Sequence, residues 1–161
     1  MSKKSNKKDS NVINIVITIG IVFLIASLVL MFINSDKKDN YIKTISYNEY
    51  KEVIKKDEYS IIILTSPTCS HCNSYKPYVN YIASENNLNA YNIDITSITE
   101  DEHIELHDKY SAIRNEYNAG VPVIPTPTTI IVKNNEEITS ISGNIGYDGL
   151  TRLLKNYQII K

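Results

Sequence analysis

The chain has 161 residues, a net charge of −1 at pH 7 and only two cysteines. Residues 34–161 carry 13 basic and 17 acidic side chains, a net charge of −4, and this mildly acidic balance argues against nucleic acid as the main partner. Two cysteines are too few to form a disulfide framework. The folded part must therefore be stabilised by its own hydrophobic core, which a segment of roughly 125 residues is long enough to supply.

The amino-terminal region contains an apolar segment without any charged side chain, residues 12–33. As a helix it would be roughly 33 Å long, enough to cross a bilayer and longer than the apolar part of a cleaved signal peptide. The lysines of residues 1–11 precede it, so the positive-inside rule places the amino terminus in the cytoplasm. We therefore predict a basic cytoplasmic tail (1–11), a transmembrane helix (12–33), a linker (34–41) and an extracytoplasmic domain (42–161) of a cell-membrane protein.

Strand and helix patterns alternate along the predicted domain. Hydrophobic periodicity, capping boxes and turn residues set the boundaries. In chain order they predict a helix from Ser46 to Lys56, a strand over 60–65, a helix over 69–85, a strand over 90–95, a helix over 99–117, a hairpin with strands 128–133 and 137–141, and a helix over 147–157. This order predicts an α/β domain with a sheet of mixed direction.

The two cysteines lie between the first of these strands and the helix that follows it. Cys69 and Cys72 are separated by Ser-His, and Cys69 falls at the predicted start of the helix. Unpaired N–H groups and the helix dipole favour a thiolate at that position, so the arrangement indicates thiol–disulfide exchange. His71, when protonated or hydrogen-bonding, is expected to stabilise the Cys69 thiolate and thus make the disulfide a better oxidant.

A metal site is the alternative interpretation of the same cysteines. His103 and His107 are one helical turn apart and could supply further ligands. However, 30 residues separate Cys72 from His103, unlike the usual spacing of zinc ligands. We therefore expect neither a metal nor another cofactor.

A proline-rich segment precedes the predicted hairpin. Pro122, Pro125 and Pro127 occur within a few residues of one another, and Pro127 after Thr126 is the best candidate for a cis peptide bond. A cis-proline loop would leave the backbone of Thr126 free to pair with an extended substrate beside the cysteines. The alternative is a rigid entry into the strand without a binding role.

Several of these features, taken together, resemble the thioredoxin superfamily over about residues 41–160. They are a strand followed by Cys69-x-x-Cys72, Pro77 within the helix, Thr126-Pro127 before an apolar strand, and Gly143 sixteen residues after Pro127. The resemblance implies a thioredoxin fold, a central mixed sheet flanked by helices. It also implies that Cys69 is the attacking thiol, Cys72 the resolving thiol and Pro127 the cis-proline.

The chain departs from thioredoxin at three places. Thioredoxin has a tryptophan before its first cysteine and a buried aspartate six residues before it, where this chain has Thr68 and Ile63. Without that acid, no obvious group takes the proton of Cys72, which disfavours fast reduction. The stretch between Asp94 and Pro127 is also longer than in thioredoxin, so the helix over 99–117 is predicted to be an insertion.

The layout as a whole is similar to membrane-anchored extracytoplasmic thioredoxin-like proteins, including the bacteriocin transport accessory proteins. It implies a thiol–disulfide oxidoreductase that acts on exported proteins with cysteines and is recycled by an unidentified redox partner. Ile63 and His71 favour an oxidant. The alternatives are an extracytoplasmic disulfide reductase, a copper-binding chaperone of the same fold with His103 or His107 as third ligand, and a partner-binding domain with an idle cysteine pair.

Overall fold

The computed structural model describes residues 17–27 and 41–161. Residues 17–27 are helical (α1), and within the described residues no helix is long and apolar enough to cross a membrane. The predicted basic tail, both ends of the predicted span 12–33 and nearly all of the predicted linker lie outside the described residues. The chain divides into two compact units, Met1–Asp39 and Asn40–Lys161, and every described strand belongs to the second.

The second unit is built from seven strands and four helices within its described residues. The strands are β1 (Ile42–Thr44), β2 (Ser60–Thr65), β3 (Asn89–Asp94), β4 (Tyr117–Asn118), β5 (Val121–Pro122), β6 (Thr128–Lys133) and β7 (Glu136–Ser142). The helices are α2 (Tyr47–Val53), α3 (Ser70–Glu85), α4 (Glu100–Lys109) and α5 (Gly146–Asn156). Five strands form one mixed sheet in the order β1-β3-β2-β6-β7. Strands β1, β3 and β2 pair in parallel, β6 pairs antiparallel with β2, and β7 pairs antiparallel with β6. The predicted mixed sheet flanked by helices is confirmed.

The central strand β2 is buried along its whole length, and its side chains alternate between two hydrophobic clusters. Ile61 and Ile63 contact α3 and α5 on one side, which we call the α3 face. Ile62 and Leu64 lie on the other side, with α2 and the segment 106–124, which we call the α2 face. The sheet is therefore covered on both sides, and each strand residue has a defined face.

Local signals that the sequence carries are used as predicted. Ser46 with Glu49, and Thr99 with Glu102, form complete capping boxes at the starts of α2 and α4. In each box the hydroxyl accepts a backbone N–H and the carboxylate accepts the N–H of the capping residue, so two otherwise unpaired donors are satisfied.

The helix predicted over 99–117 is wrong in its length, because α4 ends at Lys109. Tyr110 has an extended backbone (φ −108°, ψ 134°). The backbone N–H of Ser111 donates to the carboxylate of Glu137 at 3.0 Å and not to a carbonyl of the preceding helical turn. A tertiary contact with β7 thus replaces the hydrogen bond that would have continued the helix.

The sequence patterns predict no strand at the start of the domain, where the structure has β1. It has only three residues, too few to show an alternating pattern. It forms because it pairs in parallel with β3, with Ile42 opposite Ala90. The Oδ1 atom of Asn80 in α3 also accepts the N–H groups of Tyr41 and Ile42, at 2.7 and 3.2 Å, which fixes the entry of the chain into the sheet.

Candidate functional site

The sheet brings the cysteine segment and the proline-rich segment to the same edge. Leu64 near the end of β2 pairs with Thr128 at the start of β6 in the antiparallel ladder. The cysteines follow β2 and Pro127 directly precedes β6. Because the two strands run in opposite directions, the loop after one lies next to the loop before the other.

Cys69 and Cys72 form a disulfide, with their Cα atoms 5.3 Å apart. Cys69 is the N-cap residue of α3, and its Sγ accepts the backbone N–H of Cys72 at 3.0 Å. A helix N-terminus that already directs a donor at this sulfur also favours the thiolate that reduction would produce. Cys72 is fully buried whereas Cys69 is only partly buried, so Cys69 is the sulfur that an incoming thiol can reach.

The Thr126–Pro127 peptide bond is cis, as predicted. Pro127 is buried and Thr126 is half-buried. The carbonyl of Pro127 accepts the N–H of Gly143 at 2.7 Å, and Gly143 has φ +94°, a conformation that favours glycine. Binding of a substrate by Thr126 and Pro127 stays a prediction.

Asn144 links the segment after β7 to the start of α3, and sequence reasoning missed it. Its Nδ2 donates to Ser74 Oγ at 3.1 Å and to the carbonyl of His71 at 3.4 Å, while its Oδ1 accepts the N–H of Gly146 at 2.9 Å. With Gly143 bonded to Pro127, this segment connects both sides of the site. The only signal in the sequence was the Gly-Asn pair, which is typical of a turn.

His71 lies in the first turn of α3 with an exposed side chain. Its backbone carbonyl accepts the hydroxyl of Ser74 at 3.0 Å. Stabilisation of the Cys69 thiolate by its ring stays a prediction. Pro77 lies within α3, where the resemblance expected it.

The hydrophobic interior of the α3 face contains one buried hydroxyl pair and, among the described residues, no buried acid. Tyr75 of α3 and Thr129 of β6 are fully buried, and their hydroxyls are 2.9 Å apart. Thr129 pairs with Ile63, the residue at the position of the thioredoxin aspartate. Burial raises the pKa of Tyr75 to about 12, although its hydrogen bond with Thr129 lowers it. Among the described residues the buried polar side chains are Ser60, Thr65, Asn92, His107, Thr128 and Thr129, none of which is a carboxylate.

The two histidines considered as metal ligands are not brought to the cysteines. They lie on α4, whose Leu106 packs on the α2 face, whereas the cysteines belong to the helix on the opposite face. His107 is fully buried, with Nε2 2.9 Å from the carbonyl oxygen of Glu116 and Nδ1 2.9 Å from a carboxylate oxygen of Asp108. In the part of the chain that the structure describes, no group of three or more histidine, cysteine or acidic residues is placed to hold a metal.

The solved structures with a similar backbone include several thioredoxins. Thioredoxin f2 of Chlamydomonas reinhardtii has a TM-score of 0.59 at 12% identity, over 74% of this chain and 99% of that one. Thioredoxin f of spinach chloroplast, short form, has 0.57 at 16%, over 73% and 93%. Thioredoxin of Fasciola hepatica has 0.56 at 15%, over 72% and 99%. At these identities the similarity establishes the fold.

Sequence comparisons lead to the family. No curated protein sequence matches the chain significantly. The thioredoxin family model, in contrast, matches residues 41–156, which is most of the chain and includes both cysteines and the cis-proline. The chain therefore belongs to the thioredoxin family, and its Cys69–Cys72 pair supports thiol–disulfide oxidoreductase activity.

Proposed function

We propose that the protein is a membrane-anchored oxidant of cysteines in exported proteins. The observation that carries this proposal is the position of Cys69, a partly buried disulfide sulfur at the N-terminus of α3 that accepts a helix N–H. Stabilising the Cys69 thiolate stabilises the reduced protein, and a disulfide whose reduced form is stabilised is a strong oxidant.

The exchange proceeds in two displacements. A substrate thiolate attacks Cys69 Sγ, the Cys69–Cys72 bond breaks, and its electron pair leaves on Cys72 Sγ. A second substrate thiolate then attacks the substrate sulfur of the mixed disulfide and releases the Cys69 thiolate. The substrate dithiol is oxidised to a disulfide and the protein disulfide is reduced to a dithiol, which a separate disulfide-bearing or electron-accepting partner must reoxidise.

Membrane anchoring is part of the proposal and is supported by the sequence of residues 12–33, with the lysines before it. In this arrangement the domain lies outside the cell membrane, where exported chains emerge with unpaired cysteines. The proposed orientation predicts that protease added to intact cells removes the domain, and that alkaline washing of membranes leaves the full-length chain in the pellet. Release by alkaline washing would contradict the anchor without touching the redox chemistry.

The reduction potential of the cysteine pair tests the direction of electron flow. Equilibration of the full-length chain with glutathione buffers should give a potential at or above about −150 mV for an oxidant. A value near −270 mV, that of thioredoxin, would instead support the alternative of an extracytoplasmic reductase.

A trapping experiment tests the substrate class. Cys72→Ser should retain mixed disulfides on Cys69 with exported proteins that lack a second free thiol, because the Cys72 thiol that would displace them is missing. Cys69→Ser is the matched control that should trap none. Stoichiometric Cu(I) binding that is lost on His107→Ala would contradict this proposal and favour the copper chaperone.

A further inference from the structure

The α3 face contains a buried hydroxyl pair that the exchange chemistry above does not use. Tyr75 and Thr129 are both fully buried, with their hydroxyl oxygens 2.9 Å apart. Tyr75 follows Cys72 by three residues on the same buried side of α3. Residues three apart on a helix are neighbours, and long helical side chains lean towards the N-terminus, which here means towards Cys72.

Thr129 in the sheet is the hydrogen-bond partner of the Tyr75 hydroxyl. It lies on β6 two residues after Pro127 and pairs with Ile63, so the three positions belong to the edge of the sheet that carries the disulfide. The hydroxyl of Thr129 can donate to the tyrosine oxygen, which leaves the tyrosine O–H free to donate elsewhere.

The other polar groups packed around this face are engaged or exposed, except the hydroxyl of Thr151 in α5, which is buried without a partner but belongs to a different helix from Cys72. Thr65 donates to the side-chain carbonyl of Asn92 at 2.7 Å. Asp94, which pairs with Thr65 in the sheet, accepts the N–H and hydroxyl of Thr96 at 2.9 and 2.7 Å. The buried residues that α5 contributes, Leu150 and Leu154, are apolar, and the ring of His71 is exposed. Within residues 41–161, Tyr75 is therefore the group best placed to serve Cys72.

We propose that Tyr75, held by Thr129, donates a hydrogen bond to the Cys72 thiolate when the disulfide opens. This inference rests on the proposed oxidant function and deepens it. When a substrate thiolate bonds to Cys69 Sγ, the departing electron pair collects on Cys72 Sγ, and the tyrosine O–H stabilises that charge without giving up its proton. Because burial keeps the pKa of Tyr75 at about 12, the donor is neutral at physiological pH and does not repel the thiolate as a buried carboxylate would.

The first test measures the proton affinity of Cys72 directly. In full-length Cys69→Ser protein, the ultraviolet absorbance of the thiolate gives the pKa of Cys72. Adding Tyr75→Phe should raise that pKa by about one pH unit, since a hydrogen bond to a charged group is lost. Tyr50→Phe is the matched control, because it deletes another buried tyrosine hydroxyl on the α2 face. An equal pKa of Cys72 in the Cys69→Ser protein with and without Tyr75→Phe would overturn the proposal.

The second test uses the intact disulfide. Reduced glutathione should open it about tenfold more slowly in Tyr75→Phe than in the wild type, because a less stable thiolate is a poorer leaving group. Thr129→Val should slow the reaction in the same direction and decides the matter if Tyr75→Phe does not fold. An unchanged rate in either folded variant overturns the role of Tyr75. A reductase-like potential in the wild type contradicts the proposed function only.

Discussion

Each face of the sheet contains a buried tyrosine whose hydroxyl is hydrogen-bonded to another hydroxyl, and the surroundings of the two pairs differ. On the α2 face Tyr50 and Tyr110 bond to each other, and burial raises the pKa of both. On the α3 face Tyr75 bonds to Thr129, one helical turn from the buried sulfur of Cys72. The same chemical group therefore lies away from the cysteines on one face, and on the other it belongs to a residue one helical turn from Cys72. Variants that separate stability from redox chemistry test this difference.

The largest effect on stability is expected from Tyr110→Ala. Tyr110 is fully buried and connects the end of α4 to α2, so its truncation leaves a large cavity. The free energy of unfolding in urea should fall by about 3–5 kcal/mol, whereas the reduction potential of the cysteine pair should not change. Tyr110→Phe keeps the ring and should cost only about 1 kcal/mol. A shift of the potential in Tyr110→Phe would mean that the two faces are not independent.

The next largest loss of stability is expected when a carboxylate is introduced on either side of β2. Ile62 and Ile63 are both fully buried and point to opposite faces. Aspartate at either position should destabilise the domain by about 2–4 kcal/mol at pH 7, because a charge without a partner is buried. The buried carboxyl has a raised pKa, so each variant should lose stability as the pH rises above about 4.

The redox readout separates those two variants. Only Ile63→Asp places a negative charge beside Thr129 and the path to Cys72, so only it should slow opening of the disulfide by reduced glutathione. The rates are compared at a temperature where both the Ile62→Asp and Ile63→Asp proteins are folded. Equal rates would show that a charge on the α3 face does not affect the Cys72 leaving group.

The elements that the sequence predicted are those with local causes. The capping boxes at Ser46 and Thr99 act within one helical turn, and β2 is a continuous apolar run, so both could be recognised without the fold. Strand β1 and the end of α4 depend on partners far along the chain. The contact that ends α4 joins Ser111 to Glu137, 26 residues away.

The same reasoning applies to the site. The cysteines, Pro77 and the cis-proline could be found because their spacing along the sequence is characteristic, and the resemblance added Gly143. Asn144 contacts Ser74 across 70 residues and Tyr75 contacts Thr129 across 54. In the linear sequence Tyr75 is only one member of an apolar stripe on a helix. The partner of its hydroxyl, Thr129, becomes visible only when the fold packs β6 against α3.

Gly143→Ala should have a smaller effect, confined to the edge of the sheet that carries the disulfide. Gly143 has φ +94°, and a Cβ there would meet no atom within 4 Å, so the cost comes from the backbone alone. We expect a loss of about 1–2 kcal/mol in unfolding free energy. Gly120→Ala, with φ +83° and equally open space, is the control in the β4–β5 turn. Faster opening of the disulfide by reduced glutathione in Gly143→Ala, but not in Gly120→Ala, would show that the hydrogen bond to Pro127 restrains the site.

The smallest expected effect concerns the contact that ends α4, and it depends on pH. Burial alone raises the pKa of Glu137, but hydrogen bonds from Ser111 and Ser140 and the charge of Arg114 outweigh it and hold the pKa below its usual value. A lowered pKa in the folded state adds stability at pH values above about 4.3, the value in an unfolded chain, and this stability is lost as the pH falls through the folded-state pKa.

Glu137→Gln should therefore destabilise the domain by about 1 kcal/mol at neutral pH, and the difference from the wild type should shrink below about pH 4. Glu136→Gln, an exposed neighbour in β7, should match the wild type throughout. Urea unfolding at pH 7, 5 and 3.5 measures both variants. A constant difference between Glu137→Gln and the wild type across that range would mean that the loss comes from packing, and that the charge of Glu137 does not hold residue 111 out of the helix.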